Sequence, residues 1–557
     1  MAFGSFVSAQ EDEEVLNILY WQAVSIMNPY LSGGTKDIEA ASLVLEPLAR
    51  YDETGSLVAW LAEEVPTIEN GGISEDLLTI TWTLQEGLEW SDGTPVTSAD
   101  VVFSYDYCVT PETGCAGLDQ FAGVASVEAV DDLTVVVTFE APTPFPYQAF
   151  VGPTSPVIQA AQFADCVGAA AQGCTDQNFF PIGTGPFVVE EFSANDVVVY
   201  VDNENYRVEG QPFFDRVVFS GGGDAETAAR SVLETGENDY AWNLQISPEL
   251  LNNMAMDGVG TVVVSFGTSV ERLYLNQTNP DPALGDDRSV YMDGENVHPF
   301  LTDPAVWQAM SMAIDREIIA TELYGAAGLA TCNVLPAPAA YASTANDGCL
   351  VQDIDGANAM LDEAGYADTD GDGVRETADG VPLEVLYQTS TNAVRQDTQI
   401  LIQDWWSQIG ISTELRNIDA GVFFGGDPAS PDTYGKFYAD IEMFTSSAVG
   451  TDPQAYFNNW TCGQVSGPDN NFLSGNISRW CSPEYDALLA ELADTVGIEA
   501  RGEISKQLND LIVQGGSLIP LVHRGDVSAH ANSLEGVRMN SWDSELWNIA
   551  EWTRTDG

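Results

Sequence analysis

The cysteines of this chain limit its possible folds more than any other residues do. All eight fall into four pairs whose members lie close together in the sequence. An even number of cysteines in local pairs is typical of short-loop disulfides formed in an oxidising compartment, and reduced buried cysteines are the alternative. No pair has the CxxC spacing of a zinc or redox site. The sequence therefore predicts four disulfides: Cys108 with Cys115, Cys166 with Cys174, Cys332 with Cys349, and Cys462 with Cys481.

The charge of the chain is one-sided. Its 557 residues include 85 Asp and Glu against 18 Lys and Arg, a formal net charge of −67. Binding to nucleic acid or to an anionic membrane surface needs clustered Lys and Arg, so the composition argues against both partners. With 45% hydrophobic residues the chain is typical of a folded protein, and its acids are expected at the surface. A saline habitat and an ordinary, very acidic secreted protein both fit this composition.

The first ten residues, MAFGSFVSAQ, are similar to the trimmed end of an export signal. A Val-Ser-Ala sequence of the cleavage type precedes the acidic run at 11–14. We therefore expect residues 1–11 to be a signal remnant, with a disordered native N-terminus as the alternative. The protein is then exported to the periplasm or the cell surface, and a lipid anchor in the full-length form is compatible with this. No window holds 18 uninterrupted apolar residues, so no membrane-spanning segment is predicted.

Strand-type and helix-type patterns alternate along the chain, which predicts an α/β protein. Towards the C-terminus, from Asp303 and Pro304 onward, the pattern is that of an α/β lobe of its own, because this pair is a typical helix start. The main predicted strands lie at 15–20, 78–84, 382–388, 411–416 and 535–540. The main predicted helices lie at 39–48, 101–107 (with a capping box at 97–100), 391–409, 483–494 and 498–513.

The usual motifs of nucleophilic and nucleotide-dependent enzymes do not occur in the sequence. It has no Gly-x-Ser-x-Gly elbow and no Gly-x4-Gly-Lys-Ser/Thr loop, and its only histidines are His298, His523 and His530. Two carboxylates can form a glycoside hydrolase site, but among 85 acids such a pair is not diagnostic. The sequence therefore predicts a protein without enzymatic activity, and a secreted glycoside hydrolase is the alternative from a different class.

The sharpest local motif is the acidic stretch DTDGDGVRETAD at 368–379. Carboxylates at its first, third and fifth positions, Gly at the sixth, a backbone carbonyl at the seventh and Glu at the ninth have the spacing of a calcium loop. Asp stands at the twelfth position, where the longer Glu is usual. A structural Ca²⁺ is expected here, with a solvated acidic turn as the alternative. The expected ligands are Asp368, Asp370, Asp372, Val374, Glu376 and Asp379.

Seven stretches occur in a fixed order along the chain. They are LEPLARY at 45–51, LQEGLEWSDGTPVTSADV at 84–101, GTGPF at 183–187, QAMSMAIDR at 308–316, LDEAGY at 361–366, the acidic loop at 368–379 and IGI at 409–411. Together they resemble the extracellular solute-binding proteins of ABC importers (family 5), the family that includes the oligopeptide-, dipeptide- and nickel-binding proteins. The resemblance covers nearly the whole chain. Gln85 and Trp307 depart from it where the family usually has Arg.

The resemblance implies a two-lobed α/β fold like that of the periplasmic binding proteins (type II, large cluster C), with an extra subdomain inserted in the first lobe. Such lobes close on a ligand held in the cleft between them. Mapped on this chain, lobe 1 comprises 12–45, 180–267 and 521–557, the inserted subdomain 46–179, and lobe 2 268–520. Hinges are then expected near 266–276 and 515–525.

The resemblance also implies a monomeric receptor that delivers a solute, unchanged, to the transmembrane subunits of an ABC permease. Peptide is the solute expected for this family. In its peptide-binding members an Asp about four residues before a proline pairs with the α-amino group of the ligand, and Val449 takes that position here relative to Pro453. Asp452 lies three residues further on. Because an unpaired, desolvated ammonium group costs several kcal/mol, an oligosaccharide or another uncharged solute is the alternative.

Aromatic and polar residues at predicted strand ends are the candidate ligand contacts. Stacking on Trp suits sugar rings as well as peptide side chains, so these residues do not identify the solute. Ordinary packing is the alternative for each aromatic residue. The candidates are Tyr20, Trp21, Trp242, Asn276, Phe444, Thr445, Ser446 and Trp460.

Overall fold

The computed structural model describes residues 13–555 apart from 257, 419, 424–429, 449, 471 and 473. The expected signal remnant at 1–11 lies outside the described residues. The chain divides into two units. Unit 1 extends to Ser265 and resumes at Val527, and unit 2 extends from Phe266 to Asp526.

Strands and helices alternate through the described residues. The strands are β1 (Val15–Tyr20), β2 (Ala49–Tyr51), β3 (Leu57–Ala59), β4 (Thr79–Thr83), β5 (Val124–Ala129), β6 (Thr134–Phe139), β7 (Phe187–Ser193), β8 (Val197–Asp202), β9 (Arg216–Gly221), β10 (Tyr240–Ala241), β11 (Gly260–Ser265), β12 (Val270–Leu275), β13 (Gly328–Ala330), β14 (Glu384–Ser390), β15 (Ser412–Ile418), β16 (Ile441–Ser446), β17 (Leu518–Arg524), β18 (Asp526–Ala531), β19 (Leu534–Glu535) and β20 (Thr553–Arg554). The α-helices are α1 (Thr35–Ala41), α2 (Ser98–Val109), α3 (Ala160–Phe163), α4 (Thr175–Phe179), α5 (Ala225–Arg230), α6 (Pro248–Met256), α7 (Pro304–Met312), α8 (Arg316–Ile318), α9 (Ile354–Ala364), α10 (Ala393–Ser407), α11 (Ala420–Phe423), α12 (Gln454–Asn458), α13 (Pro483–Ala493) and α14 (Ile498–Gln514).

Unit 1 is built on a seven-stranded sheet in the order β11-β18-β10-β1-β9-β8-β7. Its central strand β1 alternates buried residues (Leu16, Ile18 and Tyr20) with half-buried ones. This period of two is that of a strand with one face in the core, and the structure places the strand at the predicted residues. β1 pairs in parallel with both β9 and β10.

A second hydrophobic core of unit 1 surrounds a three-stranded sheet in the order β4-β6-β5. Trp82 of β4, Val137 of β6 and Tyr107 of α2 are all fully buried in it. α2 begins with the predicted capping box, in which Thr97 and Asp100 satisfy each other's backbone N–H groups. The main sheet of unit 1 has a separate core.

Unit 2 is built on a six-stranded sheet in the order β13-β17-β12-β16-β14-β15. Successive residues of its central strands enter different cores: Leu273 and Met443 lie in one, and Tyr274 and Phe444 lie in the other. Because side chains alternate between the two faces of a strand, the sheet is covered on both faces. Asp303 caps α7 by accepting from the Ala305 N–H at 2.9 Å, as the sequence predicts.

The four predicted disulfides are all formed. Their Cα–Cα distances are 5.1, 5.8, 6.0 and 4.7 Å in chain order. The bonded cysteines are only 7, 8, 17 and 19 residues apart, so each bond restrains a local loop rather than joining distant elements.

Two predicted elements are wrong in extent. The helix expected over 39–48 is α1, which ends at Ala41, because the carbonyls beyond it accept from another segment: Gly185 N–H donates to Val44 at 2.9 Å. The strand expected over 535–540 ends at Glu535, because Gly536 adopts a left-handed φ of 85°.

The GTGPF stretch needs its first glycine because it lies directly against the backbone of Val44. A Cβ on Gly183 would lie 1.9 Å from the Val44 carbonyl oxygen, whereas nothing lies within 4 Å of a Cβ on Gly33. We expect Gly183→Ala to lower the free energy of unfolding by about 2–3 kcal/mol, and Gly33→Ala to leave it nearly unchanged. Urea unfolding of the two variants measures this, and equal stabilities would contradict the packing described here.

Candidate functional site

The carboxyl ends of the parallel strands in unit 1 form one candidate surface. Because β1, β9 and β10 run in the same direction, the residues that follow them meet at one edge of the sheet. Trp21 follows β1, Gly222 follows β9 and Trp242 follows β10. The Gly222 N–H donates to the Tyr20 carbonyl at 3.1 Å. Ligands of open α/β sheets bind outside the carboxyl ends of the strands, so this edge is a candidate binding surface.

Three predicted contact residues form an aromatic stack at this edge. The ring centroids of Tyr20 and Trp242 lie 4.8 Å apart with an interplanar angle of 7°, and those of Trp21 and Trp242 lie 6.1 Å apart at 27°. Trp21 Nε1 donates to the Asn243 carbonyl at 3.1 Å, which orients the outer ring. Tyr20 is fully buried and Trp242 nearly so, whereas Trp21 is half-buried. Trp21 therefore keeps part of its ring surface accessible, and the rings of Trp242 and Tyr20 pack behind it.

Buried carboxylates lie near the hydroxyl of Tyr20. This hydroxyl has no hydrogen-bond partner, and Glu39 and Glu545 raise the pKa of Tyr20 further than its burial alone does. Ser544 Oγ donates to Glu39, and the Tyr240 hydroxyl donates to Glu545 Oε2 at 2.6 Å. Burial raises the pKa of Glu39 to about 7, even though the Ser544 hydrogen bond lowers it. Glu39 therefore changes its charge near neutral pH.

One edge of the unit 2 sheet gathers three strand ends. β12 is antiparallel to both β16 and β17, so its first residues lie beside the last residues of those strands. Glu271 is paired in register with Thr445 of β16, and Val270 with His523 of β17. Of the predicted contact residues, Thr445 and Ser446 lie at this edge and are half-buried.

Glu271 organises this edge through hydrogen bonds. Although it is only 1% exposed, its Oε1 accepts from Arg395 Nε at 2.9 Å, and its Oε2 accepts from Thr445 Oγ1 at 2.6 Å and from the Tyr324 hydroxyl at 3.2 Å. Burial alone would raise the pKa of Glu271, but the charge and hydrogen bonds of Arg395 lower it below its usual value. The carboxylate is therefore ionised, and it joins β12, β16 and α10.

Arg524 carries the surplus positive charge at this edge. It ends β17, is half-buried, and donates from Nη1 to Thr445 Oγ1 at 3.3 Å. The charge of Arg395 is balanced by Glu271, whereas Arg524 has no ion pair among the described residues. A guanidinium has five N–H donors, so Arg524 retains donors for an anionic group.

Phe444 and Trp460 are interior residues of unit 2. Phe444 stacks on Tyr274 with ring centroids 4.5 Å apart at 13°, and Trp460, 2% exposed, lies under the guanidinium of Arg272 at 5.8 Å. Both belong to the core on one face of the sheet. Neither presents an open ring face as Trp21 does.

The structure does not bring Asn276 to this edge. It follows the last residue of β12, at the opposite end of the strand from Val270. Its Nδ2 donates to the Phe437 and Ala439 carbonyls at 2.9 and 3.0 Å, and its Oδ1 accepts from Thr278 N and Oγ1. Because these hydrogen bonds occupy its polar groups within the protein, Asn276 stabilises the loop that follows β12.

Asp452 does not replace the acid that the resemblance leads one to expect at Val449. Its Oδ1 accepts from Arg501 Nη2, and the two side chains form an ion pair. Burial raises the pKa of Asp452, and Arg501 lowers it. Val449 itself lies outside the described residues. A carboxylate that is already paired with a buried Arg is poorly available to a ligand amine.

The acidic loop brings four of its predicted ligands together. Carboxylate oxygens of Asp368, Asp370, Asp372 and Glu376 all lie within 4.8 Å of one another. The Gly371 and Gly373 N–H groups donate to the two oxygens of Asp368 at 2.6 and 2.9 Å, which orients that side chain. Asp379 and the Val374 carbonyl do not belong to this group of side-chain ligands.

Sequence reasoning did not select Glu271, Arg395 or Arg524. A signal was available, because β12 (VERLYL) and β17 (LIPLVHR) carry charges within apolar strands. A charge in a buried strand needs a partner or a function. The partner, however, lies on a helix more than a hundred residues away, and only the fold brings the two together.

In the described part of the chain, no helix has both the length and the apolar character needed to cross a membrane.

Comparison with known protein families gives one match over most of the chain. The profile of the bacterial extracellular solute-binding proteins, family 5 Middle, matches residues 56–468. The glutathione-binding protein GsiB of Salmonella paratyphi A is 24% identical over 518 residues, which cover 92% of this chain and 89% of the relative. GsiB of Escherichia coli K12 is 23% identical over 515 residues, with the same shares of the two chains.

Solved structures of similar fold include three binding proteins. CtaP of Listeria monocytogenes superposes with a TM-score of 0.76 at 22% identity, covering 98% of this chain and 100% of that one. NikA of Brucella suis, in complex with Fe(III)-EDTA, gives 0.76 at 20% identity and coverages of 97% and 100%. AppA of Bacillus subtilis, in complex with a nonapeptide, gives 0.68 at 20% identity and coverages of 98% and 100%. These likenesses confirm the predicted two-lobed fold class.

The titration of Glu39 generates a prediction about stability. Its pKa is about 7 in the folded protein and about 4.3 in an unfolded chain, so the folded state binds this proton more tightly. The resulting stabilisation is fully present below about pH 4.3 and is lost as the pH rises through 7. In the parent protein we expect the free energy of unfolding to decline by a few kcal/mol across this pH window. The Gln side chain of Glu39→Gln cannot ionise, so this variant should not show that decline.

Urea unfolding between pH 4.5 and 8 measures this effect. Glu63→Gln, at an exposed position, is the control and should keep the pH dependence of the parent protein. If Glu39→Gln and the parent protein show the same slope of unfolding free energy against pH, Glu39 does not titrate in this range.

Proposed function

This chain belongs to the bacterial extracellular solute-binding proteins of family 5, and from that premise we propose that its solute is a peptide-like molecule bound through a carboxylate group. It is a solute receptor of an ABC importer, and the family match supports this function over a secreted glycoside hydrolase. The observation that carries the proposal is the surplus positive charge of Arg524 at the edge of the unit 2 sheet.

Positive charge is scarce in this protein, so its location is informative. Only 18 of 557 residues are Lys or Arg, yet Arg395 and Arg524 both donate to Thr445 at the same strand end. One carboxylate, Glu271, balances one of them. A solute carboxylate would balance the other, and planar guanidinium groups bind carboxylates through two parallel hydrogen bonds.

Two carboxylates that could receive the amine end of a peptide are already paired within the protein. Asp452 is paired with Arg501, and Glu271 is paired with Arg395. Recognition through the carboxylate rather than the α-amino group follows from this distribution of charge. An uncharged oligosaccharide would leave Arg524 without a counter-ion, so this arrangement disfavours it. Trp21 is the candidate for contact with an apolar or planar part of the solute.

The cellular setting follows from the same premise. Relatives of this chain are transport proteins that act in the periplasm or outside the cell. We propose that this chain is exported too, acts as a monomer, and passes its solute to the transmembrane subunits of a permease without catalysis. Four disulfides support an oxidising location. The enclosure of the solute by closing lobes, the domain boundaries and a lipid anchor stay predictions.

The proposed carboxylate contact makes a direct prediction about ligands. Short peptides with a free C-terminal carboxylate should raise the melting temperature by about 2–5 °C at saturating concentration, and the same peptides as C-terminal amides should have little effect. Arg524→Gln should weaken binding of the free acids roughly 10- to 100-fold, the range for a hydrogen bond to a charged group. Isothermal calorimetry gives the dissociation constants.

Arg230→Gln is the matched control. Arg230 lies on the surface of α5 between Glu226 and Glu234, so its loss should not alter affinity. Equal binding of free acids and amides, or binding of neutral oligosaccharides in preference to both, would overturn the proposal.

We further propose that the acidic loop holds a structural Ca²⁺. Calcium takes oxygen ligands at about 2.3–2.6 Å, so two oxygens on opposite sides of the ion lie about 4.6–5.2 Å apart. The four carboxylates of the loop already lie within 4.8 Å of one another. The ion would neutralise their mutual repulsion and fix the segment that precedes β14.

Removal of calcium tests this second proposal. In buffer of low ionic strength, excess EDTA should lower the melting temperature, and added Ca²⁺ should restore it. Asp370→Asn should abolish the response, whereas Asp347→Asn, at an exposed position outside the loop, should preserve it. A melting temperature that is the same with EDTA and with Ca²⁺ would exclude a stabilising ion.

A further inference from the structure

Arg272 is a fully buried cation with an unused hydrogen-bond donor. It lies on β12, and its exposed fraction is 0%. Its Nη2 donates to the Ser446 carbonyl at 2.8 Å and its Nε to the Val270 carbonyl at 3.3 Å. Its Nη1 is buried and has no hydrogen-bond partner. Neutral carbonyls thus accept hydrogen bonds from two of the three guanidinium nitrogens, and the third, Nη1, has no acceptor.

Aromatic rings surround the rest of this guanidinium. Its carbon lies 6.0, 5.6 and 5.8 Å from the ring centroids of Tyr274, Tyr456 and Trp460. Contact between a cation and ring faces contributes about 0.5–2 kcal/mol. Rings lower the cost of holding the charge away from water, but they do not supply a negative charge.

The neighbouring acids do not balance Arg272 either. Glu271, the preceding residue, points to the other face of the strand and pairs with Arg395. Glu442 lies on the adjacent strand opposite Tyr274. Burial raises the pKa of Glu442 well above its usual value, which disfavours its charged form, and its Oε1 already accepts a hydrogen bond from Gln388. In the described part of the chain Arg272 has no ion pair, and an uncompensated buried charge is costly unless a ligand completes it.

The guanidinium lies at the same strand end as Thr445 and Arg524. Its two acceptors belong to the first residue of β12 and the last residue of β16. Ser446, whose carbonyl accepts from Arg272, is half-buried, and the next residue, Ser447, is exposed. Arg272 lies on one face of the sheet, and the pair of Glu271 and Arg395 lies on the other.

We propose that Arg272 binds a second carboxylate of the solute through its unused Nη1 donor, so that the preferred solutes are peptide-like dicarboxylates. This inference rests on the proposed function, since Arg524 is assigned to the first carboxylate. The rings of Tyr456 and Trp460 then flank the planar carboxylate and exclude water from it. A solute with one carboxylate pairs with Arg524 only, and Arg272 then still lacks an ion pair.

A matched pair of peptides tests the inference on the parent protein. The tripeptides Ala-Glu-Ala and Ala-Gln-Ala have the same free C-terminal carboxylate and differ only in a side-chain carboxylate or amide. We expect the Glu peptide to bind roughly 10- to 100-fold more tightly by calorimetry. Equal affinities of this pair, and of the pair in which Glu or Gln is N-terminal, would overturn the role of Arg272.

Variants separate the two arginines. Arg272→Gln should remove the preference for Glu over Gln while keeping the preference for free acid over C-terminal amide. Arg524→Gln should do the reverse. Arg272→Lys keeps the charge and serves as the test if Arg272→Gln does not fold. The Lys variant should retain part of the preference for Glu peptides over Gln peptides. A preference as large as that of the parent protein would contradict the hydrogen bond from Nη1.

The two proposals fail in different ways. If free acids and C-terminal amides bind equally, the carboxylate contact at Arg524 is wrong. If free acids are preferred but Glu and Gln peptides bind equally, only the second contact at Arg272 is wrong.

Discussion

The buried ion pair between Glu271 and Arg395 fixes the strand end of unit 2 at which we propose that the solute binds. It joins β12 to α10 and, through Thr445, to β16. Because both charges are desolvated, the pair is sensitive to geometry and rigid in position. It holds Thr445 in place, and Thr445 in turn contacts Arg524. The pair neutralises the charge of Arg395 and leaves that of Arg524, the proposed solute contact, without an ion pair among the described residues, so the same interaction sets both the shape and the charge of this edge.

One third of the scarce Lys and Arg side chains of this protein are buried inside it. Six of the 18 Lys and Arg residues are buried: Arg50, Arg272, Arg316, Arg395, Arg479 and Arg501. The surface is left strongly acidic, which favours solubility and repels anions at long range. A receptor for an anionic solute therefore needs a local concentration of positive charge that overcomes the repulsion from its own surface. We propose that Arg272 and Arg524, which have no ion pair among the described residues, supply this, since Glu271 balances the charge of Arg395.

The sequence predicted the fold well where the signal was local or repeated. The period of two in β1, the capping box of α2 and the Asp-Pro start of α7 were all correctly predicted, and so was the family. Helix α1 was predicted too long, because the carbonyl of Val44 is used by the distant Gly185, which no local pattern reveals. Tyr20, Trp21 and Trp242 were selected by residue type at strand ends, but their stacking on one another was not predicted. The arginine-bearing edge was missed, because its partners are 50 to 174 residues apart in the sequence and meet only in the folded sheet.

The most direct test is to identify the solute that the protein carries when it is isolated from cells grown in rich medium. Gentle denaturation releases any bound compound, and mass spectrometry identifies it. The same compound is then incubated with the purified protein, and its mass is measured before and after. We predict a peptide-like molecule with at least one free carboxylate, released chemically unchanged. Recovery of a neutral saccharide, or of a compound altered by incubation with the purified protein, would contradict a carboxylate receptor without catalysis.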